Sequence, residues 1–146
     1  MKLILLTFLS AFVFSGPIWL SDYNEAKNVA NLSHKLILIN FSGSDWCGPC
    51  IRMKKEIFGT ESFEKYAAEN LVLVSADFPR SKKNQLSKQQ LNKNELLAEK
   101  YNRDGKFPLT VLVNAQGKVL KEWEGLPNET PATFINEISS IVNTSK

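Results

Sequence analysis

The chain has 146 residues, enough for one compact domain and too few for two of ordinary size. Apolar residues make up 43% of it and charged residues 23%, the profile of a soluble globular protein. The net charge of +3 is spread thinly, and its densest patch, Arg80-Ser81-Lys82-Lys83, has no interleaved aromatics. It reads as a solvated loop, so no nucleic-acid partner is expected.

Met1-Lys2 precedes an uncharged run of twelve residues, Leu3 to Phe14. One positive charge and a short apolar run is the layout of a secretory signal peptide, here assigned to residues 1–15. The alternative is an uncleaved N-terminal anchor, since the uncharged run extends to Leu20 and then spans 18 residues. Gly16-Pro17 breaks that run and favours cleavage. Either way the domain, residues 19–146, is expected outside the cytoplasm, periplasmic, secreted or membrane-anchored.

Ser21 is read as the cap of a helix over DYNEAKNVANL, with Tyr23, Ala26, Val29 and Ala30 on one face. Leu36 to Asn40 is a continuous apolar run, the pattern of a central strand buried on both faces. From Pro49 the pattern turns helical, placing Cys50, Met53 and Ile57 on one face. Ser62 to Asn70 reads as a further helix and Leu71 to Ser75 as a second strand. The polar stretch Asp77 to Asn92 reads as a long loop, and Asn94 to Tyr101 as a helix. Leu109 to Asn114, a turn at Ala115-Gln116-Gly117, and Lys118 to Trp123 form a hairpin. Thr130-Pro131 opens a last helix with Phe134, Ile138 and Ile141 on its buried stripe. Helix-separated early strands imply parallel pairing and the final hairpin antiparallel pairing. The fold class is therefore α/β, a mixed central sheet with helices on both faces.

The two cysteines, Cys47 and Cys50, sit two residues apart in FSGSDWCGPCIRMKKEIF. A structural staple is a poor reading, because so short a loop removes little entropy from the unfolded chain. A structural zinc site needs about four ligands, and His34 is the one other Cys or His in the chain. Two thiolates are able to hold copper(I), so a copper-carrying binding module stays open beside a redox pair.

Trp46-Cys47-Gly48-Pro49-Cys50, directly after a buried strand and opening a helix, resembles the active site of the thioredoxin family. Phe107-Pro108 before a strand resembles that family's cis-proline segment, and Gly125 its close-approach glycine. The resemblance runs from about Trp19 to Val142 and looks most like exported bacterial members. It implies a thioredoxin-like fold and a protein thiol–disulfide oxidoreductase that reduces disulfides of partner proteins, with an oxidant or isomerase as the alternative direction. It further implies Cys47 as nucleophile and Cys50 as resolving residue, supported by Trp46, Gly48, Pro49 and Pro108. No metal and no dissociable cofactor is expected, the Cys47–Cys50 disulfide being the redox centre. A membrane electron donor and a monomeric state are expected as well.

Elementary chemistry points the same way. Pro49 fits a first helical turn, where no backbone donor is needed. Cys47 would then lie at a helix N-terminus, which favours a thiolate and lowers a thiol from about 8.5 toward about 3.5–7.5. Three departures from the family stand out. Asn40 occupies the place of a buried acid, with Asp45 as a partial substitute. The loop before the motif is one residue longer. Leu109 follows Pro108 where threonine is usual, after a lengthened Arg103–Lys106 turn.

Overall fold

A computed structural model describes residues 16–145, so the segment assigned as a signal peptide lies outside the described residues. The elements run β1 (Trp19–Leu20), α1 (Tyr23–Ser33), β2 (Leu36–Ser42), α2 (Gly48–Met53), a π-helical turn (Lys54–Phe58), α3 (Glu61–Asn70), β3 (Leu71–Asp77), a 3-10 turn (Lys82–Asn84), α4 (Lys88–Tyr101), β4 (Leu109–Val113), β5 (Val119–Glu124) and α5 (Pro131–Thr144). The sheet order is β1-β3-β2-β4-β5. β1, β3 and β2 pair in parallel, while β4 runs antiparallel to both β2 and β5. This is the mixed sheet that the alternation of helices and strands implies.

Alternate residues of β2 feed two separate cores. Ile37, Ile39 and Phe41 pack with Ala26 and Ala30 of α1 and Leu97 and Tyr101 of α4. Leu36 and Leu38 pack on the opposite face with Met53, Phe63 and Ala67, and with Phe134 and Ile138 of α5. A strand buried on both sides has no polar face to show, which is why it reads as one apolar run.

Three local readings are corrected and one element is added. The helix cap is Asp22, not Ser21: Asp22 Oδ1 accepts from the amides of Asn24 at 2.8 Å and Glu25 at 3.2 Å. Val29 is exposed, and the inward face of α1 is Ala26 and Ala30. β1 is a two-residue edge strand paired with Leu73 and Val74, too short to leave a periodic signal. The polar loop is also shorter than expected. β3 continues to Asp77, and α4 starts at Lys88, where Ser87 Oγ accepts from Gln90 N at 3.1 Å. The buried Asn94 of this helix is satisfied by the Asp77 carbonyl at 2.8 Å and by Gln90 Nε2 at 2.8 Å. A helix held by such polar bonds carries little apolar periodicity.

The π turn has no counterpart in the sequence pattern. Gly59 N–H reaches back to Lys54 O at 2.8 Å, five residues away. The extra residue puts the neighbours Ile57 and Phe58 inside together. Phe58 then stacks between Trp19 and Phe63, each with centroids 5.0 Å away. On α5 the fully inward stripe is Phe134, Ile138 and Val142, with Ile141 at its edge.

Candidate active site

β2 ends at Ser42, and the chain turns through Gly43–Trp46 into α2. The Gly43 carbonyl accepts from Cys47 N at 2.9 Å and Trp46 N at 3.3 Å, closing the turn. Cys47 is the N-cap of α2, and its Sγ accepts from Cys50 N at 3.3 Å. Gly48 and Pro49 form the first turn and are exposed. Cys47 and Cys50 are joined as a disulfide. The resolving role predicts Cys50 as the less exposed sulfur, and the difference is small: 5% for Cys47 against 3% for Cys50.

Two further segments converge on this turn. The Phe107–Pro108 bond is cis, as the resemblance implies. Pro108 O accepts from Gly125 N at 2.8 Å. Gly125 has φ +72°, a left-handed conformation suited to glycine, and a Cβ built there would meet nothing within 4 Å. Pro49, Phe107, Pro108, Gly125 and Leu126 line an open groove of about 640 Å³.

Trp46 is half-buried and held from three sides. Its Nε1 donates to Phe78 O at 2.7 Å. The Phe107 ring meets it edge-on with centroids 5.5 Å apart. The Arg80 guanidinium lies 3.8 Å from the ring centroid.

Asn40 sits on β2 beneath α2 and is 8% exposed. Its Nδ2 donates to Thr110 Oγ1 at 3.1 Å, and that hydroxyl donates to Met53 Sδ at 3.8 Å. Asp45 does not replace the missing acid. Its carboxylate accepts from Arg80 N at 2.9 Å, Ser81 N at 2.9 Å and Asn84 Nδ2 at 3.0 Å. The Arg80 amide and the Asn84 side chain, ahead of the Ser81 amide, hold its pKa below the usual value. It is an ionised loop anchor. Asp77 has the matching role, accepting from Ser44 N at 2.9 Å and Ser44 Oγ at 2.6 Å. His34 ends α1 with φ 55° and is exposed, away from the sulfurs.

This convergence of a CxxC turn, a cis-proline and a trailing glycine is matched in known proteins. The thioredoxin-like family model covers residues 18–115. The chain belongs to the thioredoxin-like family. It is 35% identical over 119 residues to the disulfide bond reductase DsbH of Chlamydia pneumoniae, covering 82% of this chain and 69% of that one. A solved DsbH oxidoreductase superposes with a TM-score of 0.79 at 29% identity, over 98% of this chain and 94% of that one. A thioredoxin from Thermus thermophilus shares the fold, with a TM-score of 0.67 at 17% identity over 90% and 91% of the two chains. With the DsbH relative and the DsbH structure beside the family match, the chain is a protein-disulfide oxidoreductase.

The residues that sequence reasoning missed are Gly43, Phe78 and Arg80. Gly43 left a local signal as a small residue in the turn before the motif, and Phe78 and Arg80 stand in the stretch Ala76–Arg80 that resembles exported family members, without their roles being legible there. The other two lie some thirty residues further along the chain, and only the parallel register of β2 and β3, which pairs Ser42 with Asp77, brings them to the motif.

Proposed function

We propose that this thioredoxin-like chain works outside the cytoplasm as a reductase of protein disulfides, with Cys47 attacking and Cys50 resolving. The observation that carries the assignment of Cys47 as nucleophile is the bond from Cys50 N–H to Cys47 Sγ at the start of α2. A donor aimed at that sulfur, together with the helix N-terminus, favours the thiolate over the thiol. The name of the Chlamydia pneumoniae relative, a disulfide bond reductase, supports the direction. The Gly-Pro pair between the cysteines supports it too.

In the dithiol form, Cys47 thiolate attacks one sulfur of the partner's disulfide. The partner's other sulfur leaves as a thiolate and takes a proton from water. Cys50 then loses its proton and attacks Cys47 Sγ, releasing the partner's second thiol. Two electrons have passed to the partner, and the Cys47–Cys50 disulfide is the product. Asn40 has no titratable proton, so the Cys50 proton leaves to water. Resetting the pair takes an external dithiol, for which we propose a membrane protein passing electrons outward. No metal or dissociable cofactor enters this scheme, and the chain acts as a monomer. Cis-Pro108, Gly125 and Trp46 present the surface on which the partner's extended chain lies.

The test is the reduction potential of the couple against a glutathione series, paired with insulin reduction. A potential near about −270 mV, with turnover lost in Cys47→Ser, is the expected result. A value near about −120 mV makes the protein an oxidant or isomerase. N-terminal sequencing of exported protein tests the location: a start near Gly16 means a cleaved signal, and retention of Met1 means an anchor.

A further inference from the structure

The basic patch that reads as a solvated loop is in fact built onto the active-site turn. Ser44, Asp45 and Trp46, the three residues before Cys47, each hold it. Ser44 binds the Asp77 carboxylate through its amide at 2.9 Å and its hydroxyl at 2.6 Å. Asp45 takes the amides of Arg80 and Ser81 and the side chain of Asn84. Trp46 Nε1 reaches Phe78 O at 2.7 Å. Phe78 also meets Phe107 edge-on, with centroids 5.6 Å apart. A polar surface loop tied down at this many points holds its backbone in one place beside the active-site turn.

Three of the arm's side chains, Arg80, Lys82 and Lys83, are cationic and enter no ion pair among the described residues. Arg80 is exposed and stacks its guanidinium on Trp46. Among the described residues that guanidinium enters no ion pair and no hydrogen bond, its backbone amide alone being bonded. With the guanidinium carbon over the indole and its N–H donors unpartnered among the described residues, the group is able to take a carboxylate in two parallel bonds. Lys82 and Lys83 are exposed on the following 3-10 turn and are likewise unpaired among the described residues. The two nearby carboxylates, Asp45 and Asp77, are engaged in the arm's own hydrogen bonds. Across the centre the sign reverses. The groove beside Pro108 is bordered by Glu56 and Glu129, and its Arg52 is paired to Glu56 at 3.1 Å.

We propose that Phe78–Asn84 is a preformed docking arm for an acidic segment of the protein whose disulfide is reduced, with Arg80 as its carboxylate-binding residue. The inference rests on the exchange reaction proposed above and adds the class of partner and its orientation. An acidic stretch beside the target cysteine lies toward Arg80, and the rest of the partner runs through the groove at Pro108. Because the arm is ordered beforehand, little entropy is lost when the partner binds. A nucleic acid is disfavoured, since the Trp46 face that would stack a base is already covered by Arg80.

The experiment compares cystine peptides of one core sequence flanked by Glu, Gln or Lys. Second-order rates are measured with the dithiol form of the full chain. The neutral hydroxyethyl disulfide reports on the centre itself. The wild-type protein is expected to reduce the Glu peptide at least about tenfold faster than the Lys peptide at low salt, with the ratio shrinking as salt rises. In Lys82→Glu/Lys83→Glu the ratio inverts or vanishes, while the hydroxyethyl disulfide rate holds. Arg80→Gln loses preference for Glu, and Arg80→Lys regains only part of it, because a lysine lacks the two-pronged fork. Equal rates for the three peptides with normal hydroxyethyl disulfide turnover overturn the arm and leave the exchange reading intact. Loss of oligonucleotide binding in the lysine variant without any peptide preference overturns it in favour of a nucleic-acid surface. Failure to reduce any disulfide sinks the exchange reading and the arm with it.

Discussion

The indole of Trp46 lies directly against Gly43, so that a Cβ built at Gly43 would fall 2.3 Å from Cε2 and 2.6 Å from Nε1. Gly43 has no left-handed backbone, so what it supplies is space, not conformational freedom. Gly43→Ala forces the indole aside and breaks its bond to Phe78 O. Overpacking of this kind costs roughly 1–3 kcal/mol. We expect insulin reduction to fall severalfold and tryptophan fluorescence to shift, with both cysteines still forming their disulfide. An alanine variant with the spectrum and rate of the wild type would show that the contact carries no weight.

Asp45 should hold the Phe78–Asn84 arm without touching the chemistry. Asp45→Ala removes three acceptor contacts at once and leaves the amides of Arg80 and Ser81 to solvent. Hydrogen exchange at those two amides is expected to speed up, while the amides of β2 and β3 stay protected. The carboxyl titrates below its usual value of 3.8, so the arm stays fastened at neutral pH and loosens only as pH falls through that lowered range. Unchanged exchange at Arg80 in the alanine variant would mean that Trp46 and Asp77 suffice to order the arm.

How much of the fold and site is legible in the sequence follows from the range over which each signal acts. The β2 run, the Pro49 helix start and the Thr130-Pro131 cap are local patterns, and each appears where the sequence puts it. The CxxC turn, Pro108 and Gly125 are legible through the family resemblance, and the structure brings them together. The π turn at Lys54–Phe58 is hidden because burying two successive residues breaks helical period. The roles of Asp45 and Arg80 are hidden for a different reason. Their partners lie on another strand's loop, and spacing along the chain says nothing about which loops meet across a sheet.

Asp22 links the start of α1 to α4, since its Oδ2 accepts from Lys93 Nζ at 2.6 Å while Oδ1 caps the helix. The Lys93 bond, then the Glu25 amide, lower its pKa from the ordinary 3.8. A lowered folded-state value means that its contribution is complete above the unfolded value and fades as pH drops through the folded one. Asp22→Ala is expected to lose about 1 kcal/mol in urea unfolding at pH 7, the usual worth of an N-cap. The gap between variant and wild type should narrow below about pH 4. A gap that stays constant to pH 2 would assign the effect to the neutral cap alone.

Asn40→Asp tests what the replaced acid does. Asn40 now donates to Thr110, whose hydroxyl points on to Met53 of α2. A carboxylate there must accept from Thr110 instead, drawing that hydroxyl away from the sulfur. Burial raises the new carboxyl's pKa above the unfolded value of about 3.9. The variant should therefore match wild type at low pH and lose stability as pH rises from the unfolded value to the raised one, by about 1.4 kcal/mol per pH unit between them. Above the raised value the carboxylate is a base beneath the helix that carries Cys50, and the resolving step needs the Cys50 proton removed. Single-turnover reduction of a cystine peptide should show faster release of the mixed disulfide in the variant, with a new titration that wild type lacks. Identical pH profiles for the two proteins would mean that this position has no path to Cys50, and that the asparagine was settled by packing against Thr110.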